Sequence, residues 1–235
     1  MSIIPHNLQV VQTAIADAAR AVARDPDTVR LLAVSKTFGP EAVAEAAQAG
    51  QMAFGENYLQ EALDKMAALR TTHPELRLEW HFIGPIQSNK TRAIAENFDW
   101  VHAIEREKIA RRLSEQRPAH LPPLNVCLQI NISGEASKSG ITLEEAPQLA
   151  RAIIGMPGLR LRGLMAIPEP SDASEQQRLP FRQLRELRDQ LAAQGLDLDT
   201  LSMGMSADMA AAIAEGATMV RIGTAIFGKR DYADT

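Results

Sequence analysis

The amino-acid sequence predicts a single (β/α)8 TIM barrel, a parallel α/β fold, on three observations. Short β-branched, apolar runs alternate with Ala-rich or Leu-rich helical stretches along the whole chain. Eight runs have strand character, with seven helical stretches between them. The length of 235 residues is close to the ~250 that one such barrel uses. An open doubly wound sheet is the competing arrangement. Eight strands are many for an open sheet of this length, and no Gly-x-Gly-x-x-Gly turn follows the first strand.

The first element is an amphipathic helix whose Leu8, Val11, Ile15, Ala18 and Val22 fall on one face. Strands are expected at Val29–Ser35, Gln51–Gly55, Leu78–Gly84, Trp100–Ile104, Asn125–Ile132, Leu159–Ile167, Thr200–Met205 and Met219–Phe227. Helices are expected between them at Pro40–Ala49, Asn57–Leu69, Asn89–Asn97, Arg106–Arg117, Leu143–Ile154, Gln177–Gln194 and Ala207–Glu215. Local signals agree with this order. Pro40 suits a first helical turn, and Thr142 to Glu145 has capping-box spacing. Nothing divides the chain, so residues 1–235 are expected to form one domain. The loop Pro168–Ser174 reads as a surface linker with scope to move.

Composition narrows the function. Hydrophobic residues at 46% and charged residues at 23% exclude a disordered or collagen-like chain. The single cysteine, Cys127, excludes an internal disulfide and a cysteine-cluster metal site, and its apolar neighbours Val126 and Leu128 mark it as a buried structural thiol. No basic-then-apolar leader opens the sequence, and no run approaches the ~20 apolar residues of a membrane span. A cytoplasmic protein with no membrane partner is expected. Twenty-five Lys and Arg against 29 Asp and Glu give a net charge of −4 with interspersed signs. The densest basic stretch, Arg178 to Arg188, contains Glu186 and reads as a solvated helix face. Six Phe, two Trp and two Tyr are too scattered for a base-stacking platform. Nucleic acid is not an expected partner.

In a TIM barrel the chemistry sits at the C-terminal ends of the strands. Lys36 ends strand one in Leu-Leu-Ala-Val-Ser-Lys. It is either a strand-end ammonium reaching water or an amine that forms an imine with an aldehyde in a partly desolvated mouth. Ser206 follows strand seven as the expected N-cap of the next helix, a role compatible with binding an anion. Gly204-Met-Ser206-Ala-Asp208 mimics a nucleophile elbow, but Asp208 stands where the second glycine belongs and no histidine follows, so a hydrolase is rejected. Gly223 and Thr224, after Arg221 in strand eight, are small enough to admit a phosphate, or simply to pack the barrel tightly. His81, between Trp80 and Phe82, reads as a satisfied core histidine, and no spacing supports a metal site.

Ordered motifs then resemble one family. They are Ala33-Val-Ser-Lys36, Phe54-Gly-Glu-Asn57 with Gln60-Glu61, and Trp80-His-Phe-Ile-Gly84 with Gln87-Ser-Asn-Lys90. Asn131-Ile-Ser with Ser137-Lys-Ser-Gly140, Gly163-Leu-Met165, Leu201-Ser-Met-Gly-Met-Ser-x-Asp208 and Arg221-Ile-Gly-Thr-Ala-Ile-Phe-Gly228 follow. Together they resemble the pyridoxal phosphate homeostasis proteins from strand one to strand eight. The one departure noticed is Ile86 where Leu is common. The resemblance implies a fold-type III barrel like the N-terminal domain of alanine racemase. It implies pyridoxal 5'-phosphate as cofactor, with Lys36 on its aldehyde, Ser206, Gly223 and Thr224 on its phosphate, Arg221 at the pyridine nitrogen and Asn57 lining the pocket. It also implies a largely monomeric protein without established catalysis, which takes part in vitamin B6 and amino-acid homeostasis. Amino acids and apo pyridoxal phosphate enzymes are the further partners considered.

A small fold-type III racemase or lyase is the alternative. Pyridoxal phosphate is a strong electron sink when its ring nitrogen is protonated, and an arginine there disfavours that proton, which weighs against transaminase or decarboxylase chemistry but is tolerated in racemization. Racemases of this type also use a tyrosine delivered from an additional domain. The only tyrosines here are Tyr58 and Tyr232, and the sequence runs seven residues past Gly228, so that domain is expected to be absent.

Overall fold

The alternation of helix and strand closes on itself. The structure, a computed structural model, describes residues 3–134, 139–171 and 173–228. Ser137 and Lys138 of the resemblance, and Tyr232, lie outside those residues. Eight strands form a closed barrel in chain order: β1 (Arg30–Val34), β2 (Ala53–Glu56), β3 (Glu79–Phe82), β4 (Trp100–Ile104), β5 (Leu124–Ile130), β6 (Leu159–Ala166), β7 (Thr200–Ser202) and β8 (Met219–Ile222). All neighbours are parallel, and β1 closes the barrel on β8 from Arg30↔Met219 to Ala33↔Ile222. The helices are α1 (Ile4–Ala21), α2 (Pro40–Gln48), α3 (Leu59–Thr72), α4 (Thr91–Asn97), α5 (Glu107–Gln116), α6 (Ala146–Ile154), α7 (Ser174–Ala193), α8 (Met209–Ala214) and α9 (Thr224–Phe227).

The expected fold class therefore holds, with differences at element ends. Helix α1 buries Ile4, Leu8, Val11, Ile15 and Ala19, whereas Ala18 is half-buried and Val22, past the helix end, is exposed. The helix lies over the closing seam, where the Asn7 amide donates to Ile226 O at 3.0 Å. Just after it, Arg24 donates to Ile213 O at 2.7 Å and Ala217 O at 2.9 Å. Thr142 and Glu145 form the expected reciprocal capping box ahead of α6. The eighth strand stops at Ile222 instead of running to Phe227. The chain turns at Gly223 into α9, with Phe227 buried and stacked on Phe38 at 5.0 Å between ring centroids.

The basic face of α7 is not a solvated one. Arg178, Arg182 and Arg185 converge on the Glu215 carboxylate at 2.7, 3.1 and 2.7 Å. That side chain is only 1% exposed, and the three guanidiniums, with their hydrogen bonds, hold its carboxyl below the ordinary range against the cost of burial. This ion-paired seam docks α7 on the end of α8.

Strand alternation sorts side chains to two cores. Outward residues such as Leu31, Ala33, Phe54 and Val220 pack under the helices, while Leu32, Ala53, Met219 and Ile83 cluster separately inside. The remaining interior is markedly polar, with His81, His102, Thr200, Ser202 and Arg221 all buried. Cys127 is fully buried as expected, and burial pushes its thiol up to about 12. Gly163 lets β6 approach β7, since a Cβ there would sit 1.8 Å from Thr200 O.

Burial drives both interior histidines below the usual imidazole range, His102 further than His81. The unfolded chain takes up those protons below about pH 6.5 while the folded protein resists them. Their contribution to stability is thus present above about pH 6.5 and is lost as pH falls, by up to about 1.4 kcal/mol per ring and pH unit. Urea midpoints at about pH 7.5 and pH 5.5 are expected to differ accordingly, with a smaller difference in His102→Asn. Identical pH slopes for the two proteins would contradict this account.

Candidate functional site

The residues singled out from the sequence gather at one end of the barrel. Lys36 follows β1 with the parity of interior Leu32, and Asn57 follows β2 with the parity of interior Ala53. Both are half-buried. Arg221 lies in β8, register-paired with Leu32 of β1, and Gly223 and Thr224 follow it. A Cβ on Gly223 would approach Val34 O to 3.0 Å, so these two strand ends are in contact where Lys36 emerges.

A cleft of about 460 Å³ opens at this end, within the ordinary size range of small-molecule sites. It is lined by Asn57, Ile83, Pro85, Gln129, Ser139, Ile167, Pro168, Pro170 and Met205. Asn57 is the one member of the expected set in this lining; Lys36, Ser206, Arg221, Gly223 and Thr224 are not in it. The Asn57 Oδ1 is buried and has no hydrogen-bond partner. Gly84 secures its backbone, because a Cβ there would lie 2.3 Å from Asn57 O. Pro168 and Pro170 are part of the cleft wall, so this loop is more than a surface linker.

Ser206 does not cap a helix. Helix α8 begins at Met209, Asp208 occupies the N-cap position, and Ser206 stands exposed in the preceding turn. The turn closes instead through Asp208 Oδ1, which accepts the Met205 N–H at 2.5 Å. Gly204, at φ +95°, lets the chain pass α8, as a Cβ there would meet Ala212 Cβ at 2.6 Å. Ser206 is consequently an exposed residue of the turn after β7 rather than the cap of the helix.

Arg221 is 4% exposed. Its Nη1 donates to Ser202 O at 2.5 Å and to Ser202 Oγ at 2.9 Å, and its Nη2 donates to Ala166 O at 2.9 Å. All three acceptors are neutral. Burial lowers its pKa to about 10, which leaves it charged at neutral pH.

Sequence reasoning missed a buried ionic cluster behind Lys36. The Lys65 ammonium on α3, 2% exposed, donates to Glu56 Oε1 at 2.6 Å, Glu61 Oε1 at 3.1 Å and Ser35 O at 2.8 Å. The Ser35 hydroxyl also donates to Glu56 Oε1, and the Thr37 N–H donates to Glu61 Oε1, both at 2.6 Å. The residues on either side of Lys36 are thus tied to one ammonium. Thr37 is held at φ +70°, an uncommon conformation for a residue with a Cβ. Burial raises the Glu56 carboxyl despite Lys65, and its Oε2 has no partner. One signal for this cluster was present: Lys65 shares the buried face of Ala62, Met66 and Leu69.

Lys65→Met leaves Glu56 buried without its cation, and the expected loss is about 3 kcal/mol. Adding Glu56→Gln to that variant is expected to restore part of it. A single variant as stable as the parent in urea would show that the cluster contributes nothing net.

Among the described residues no group of three or more His, Cys, Asp or Glu is placed to hold a metal ion, and no helix is long and apolar enough to cross a membrane.

Comparison with known proteins matches residues 4–231 to the family described as "Alanine racemase, N-terminal domain". A Pseudomonas aeruginosa protein named pyridoxal phosphate homeostasis protein is 63% identical over 232 residues, covering 99% of this chain and 98% of that protein. Its Escherichia coli namesake is 55% identical over 233 residues, covering 99% of each. The solved structure of PipY from Synechococcus elongatus PCC7942 with PLP bound aligns at a TM-score of 0.76 and 36% identity, covering 91% of this chain and all of that one. With identity of this order over nearly its whole length, the chain belongs to the pyridoxal phosphate homeostasis protein family.

Proposed function

We propose that this protein binds pyridoxal 5'-phosphate at the C-terminal mouth of its barrel and serves in cytoplasmic homeostasis of that cofactor and of amino acids, without catalytic turnover. The observation that carries the reading is the juxtaposition, at one barrel end, of a half-buried lysine, a cleft of cofactor size with an unpartnered buried amide oxygen, and a buried arginine held by neutral oxygens. Pyridoxal phosphate supplies a reactive aldehyde, an anionic phosphate and a ring that draws electrons. Lys36 offers the amine for the aldehyde. Gly223 and Thr224 present small residues beside the Lys36 strand end, and the uncapped Ser206 offers a hydroxyl, a set suited to the phosphate. Asn57 supplies the amide oxygen in the wall.

Arg221 argues against turnover. A permanent cation held at the ring nitrogen opposes protonation there, and so weakens electron withdrawal. Transaminase or decarboxylase chemistry requires a strong sink, whereas a racemase tolerates an arginine at the ring nitrogen but requires an opposing base. Tyr58, the tyrosine within the described residues, is 53% exposed and takes no part in the cleft lining.

Mixing the protein with pyridoxal phosphate is expected to give a visible absorbance band, and borohydride reduction to fix the cofactor on the Lys36 peptide. Trapping mainly on Lys90 or Lys138 would reassign the lysine. Ser206→Ala removes a hydrogen bond to a charged group, about 1.5–3 kcal/mol or roughly ten- to a hundredfold in affinity, and pyridoxal without phosphate is expected to bind far more weakly. Equal affinity for both would sink the phosphate assignment. Exchange of the α-proton of alanine or serine for deuterium is expected to stay near background. Enzymatic rates abolished by Lys36→Ala would favour the racemase reading.

A further inference from the structure

The barrel interior carries a continuous polar chain from one end to the other. At the N-terminal end, Glu79 Oε1 accepts from Arg30 Nη2 at 2.9 Å and lies 2.5 Å from His81 Nε2. His81 Nδ1 is 2.9 Å from His102 Nε2, and His102 Nδ1 is 2.8 Å from Ser202 Oγ. Ser202 Oγ in turn accepts from Arg221 Nη1 at 2.9 Å. His81, His102 and Ser202 are all fully buried, and the His81 ring stacks on Trp100. No water-filled route is needed to join the links.

The donors in this chain have one consistent order when both rings are neutral. Glu79 accepts, so His81 carries its proton on Nε2 and accepts at Nδ1. His102 must then donate from Nε2 and accept at Nδ1, which requires the Ser202 hydroxyl to donate to it. That leaves the Ser202 oxygen as an acceptor for Arg221. The order therefore propagates from the carboxylate to the guanidinium without a gap. It also keeps the carboxylate two rings away from Arg221, so the arginine is oriented without being neutralised. The charged or titratable groups facing the chain are Glu79, Arg30 and Asp99 around His81, Arg221 beside His102, and Asp208 and Cys127 around Arg221.

We propose that Glu79, His81, His102 and Ser202 are positioning residues for Arg221, acting as a one-way hydrogen-bond relay that aims its guanidinium and preserves its positive charge. The purpose assigned to that aim rests on the cofactor reading of the mouth given above. The relay itself is a property of the cofactor-free chain.

Side-chain nitrogen NMR of the cofactor-free protein tests it directly. Both rings are expected as the neutral Nε2–H form at neutral pH, with slowly exchanging Arg221 guanidinium protons. Glu79→Ala and Ser202→Ala are expected to release those Arg221 signals, whereas Glu79→Gln, whose amide oxygen still accepts, is expected to keep them. With pyridoxal phosphate, Ser202→Ala and Glu79→Ala are expected to bind about tenfold more weakly and to shift the pH titration of the visible band, again with Glu79→Gln close to the parent. A doubly protonated ring, or an Nδ1–H form of either ring, in the parent protein overturns the relay. So do variants that lose only thermal stability while Arg221 signals, affinity and titration stay unchanged. If Ser202→Ala does not fold, the Glu79 pair and the parent spectrum still decide. A parent protein with the expected ring forms that binds no pyridoxal phosphate would overturn the cofactor reading alone, and the Arg221 signals would still decide the relay.

Discussion

Pairing of β1 with β8 is the constraint on which the remaining structure depends. Four successive register pairs, Arg30↔Met219 to Ala33↔Ile222, turn what would be two edges into a closed sheet. Closure brings Lys36, near the start of the chain, beside Gly223 and Arg221, near its end. It also removes the unpaired edges that an eight-stranded open sheet would expose. Helix α1 lies across that seam, and Asn7 and Arg24 donate to backbone carbonyls that belong to the C-terminal elements. The extra N-terminal helix is therefore a clasp on the closure and not merely one more cover for the barrel.

Once the sheet is closed, strand parity decides what the interior contains. A barrel core filled by branched aliphatics would be simpler to stabilise, since each buried polar group must find a partner or cost about 1–3 kcal/mol. Here Leu32, Ala53, Ile83 and Met219 form a small inner apolar cluster among the described residues. Most of the apolar burial has moved to the outer core between sheet and helices, where Phe54, Phe98, Phe181 and many aliphatic residues lie. That outer core leaves the inner one free to hold histidines, a serine and an arginine. The polar interior is tolerated because nearly every polar atom in it is matched, and the buried unpartnered Asn57 Oδ1 belongs to a residue of the cleft wall.

The fold class was legible because alternation of apolar runs and helical stretches is a local property that survives reading one segment at a time. Lys36, Asn57, Arg221, Gly223 and Thr224 were legible as strand-end residues, and the structure sets them at one barrel end. What the sequence concealed were pairings across strands. His81 reads as an isolated histidine until the register aligns it with β4 and His102, residues apart in sequence but adjacent in the barrel. Arg178, Arg182 and Arg185 read as a solvated face because Glu215, their common partner, lies beyond the next strand. Ser206 has good N-cap chemistry, yet Asp208 closes the same turn from two residues on, and local preference alone does not rank the two. The end of β8 was overrun because Ile226 and Phe227 are β-like in composition, and tertiary packing makes them a helical turn.

The placement of carboxylates connects these features to function. Glu56 and Glu61 are gathered on Lys65 behind the Lys36 strand end, and Glu79 is kept at the opposite end of the barrel with Arg30. None of them touches Arg221, whose guanidinium donates to two carbonyls and one hydroxyl. A carboxylate in contact with that guanidinium would cancel much of its field at short range, where electrostatic interactions are strongest. With neutral acceptors at hydrogen-bond distance Arg221 keeps its charge inside the barrel, and on the proposed reading that charge opposes protonation of a ring nitrogen bound beside it. On the proposed cofactor reading, that geometry disfavours chemistry that needs a protonated ring, such as transamination or decarboxylation, and leaves binding through the amine and the phosphate contacts intact. On that reading the polar interior serves binding by orienting Arg221 without neutralising it.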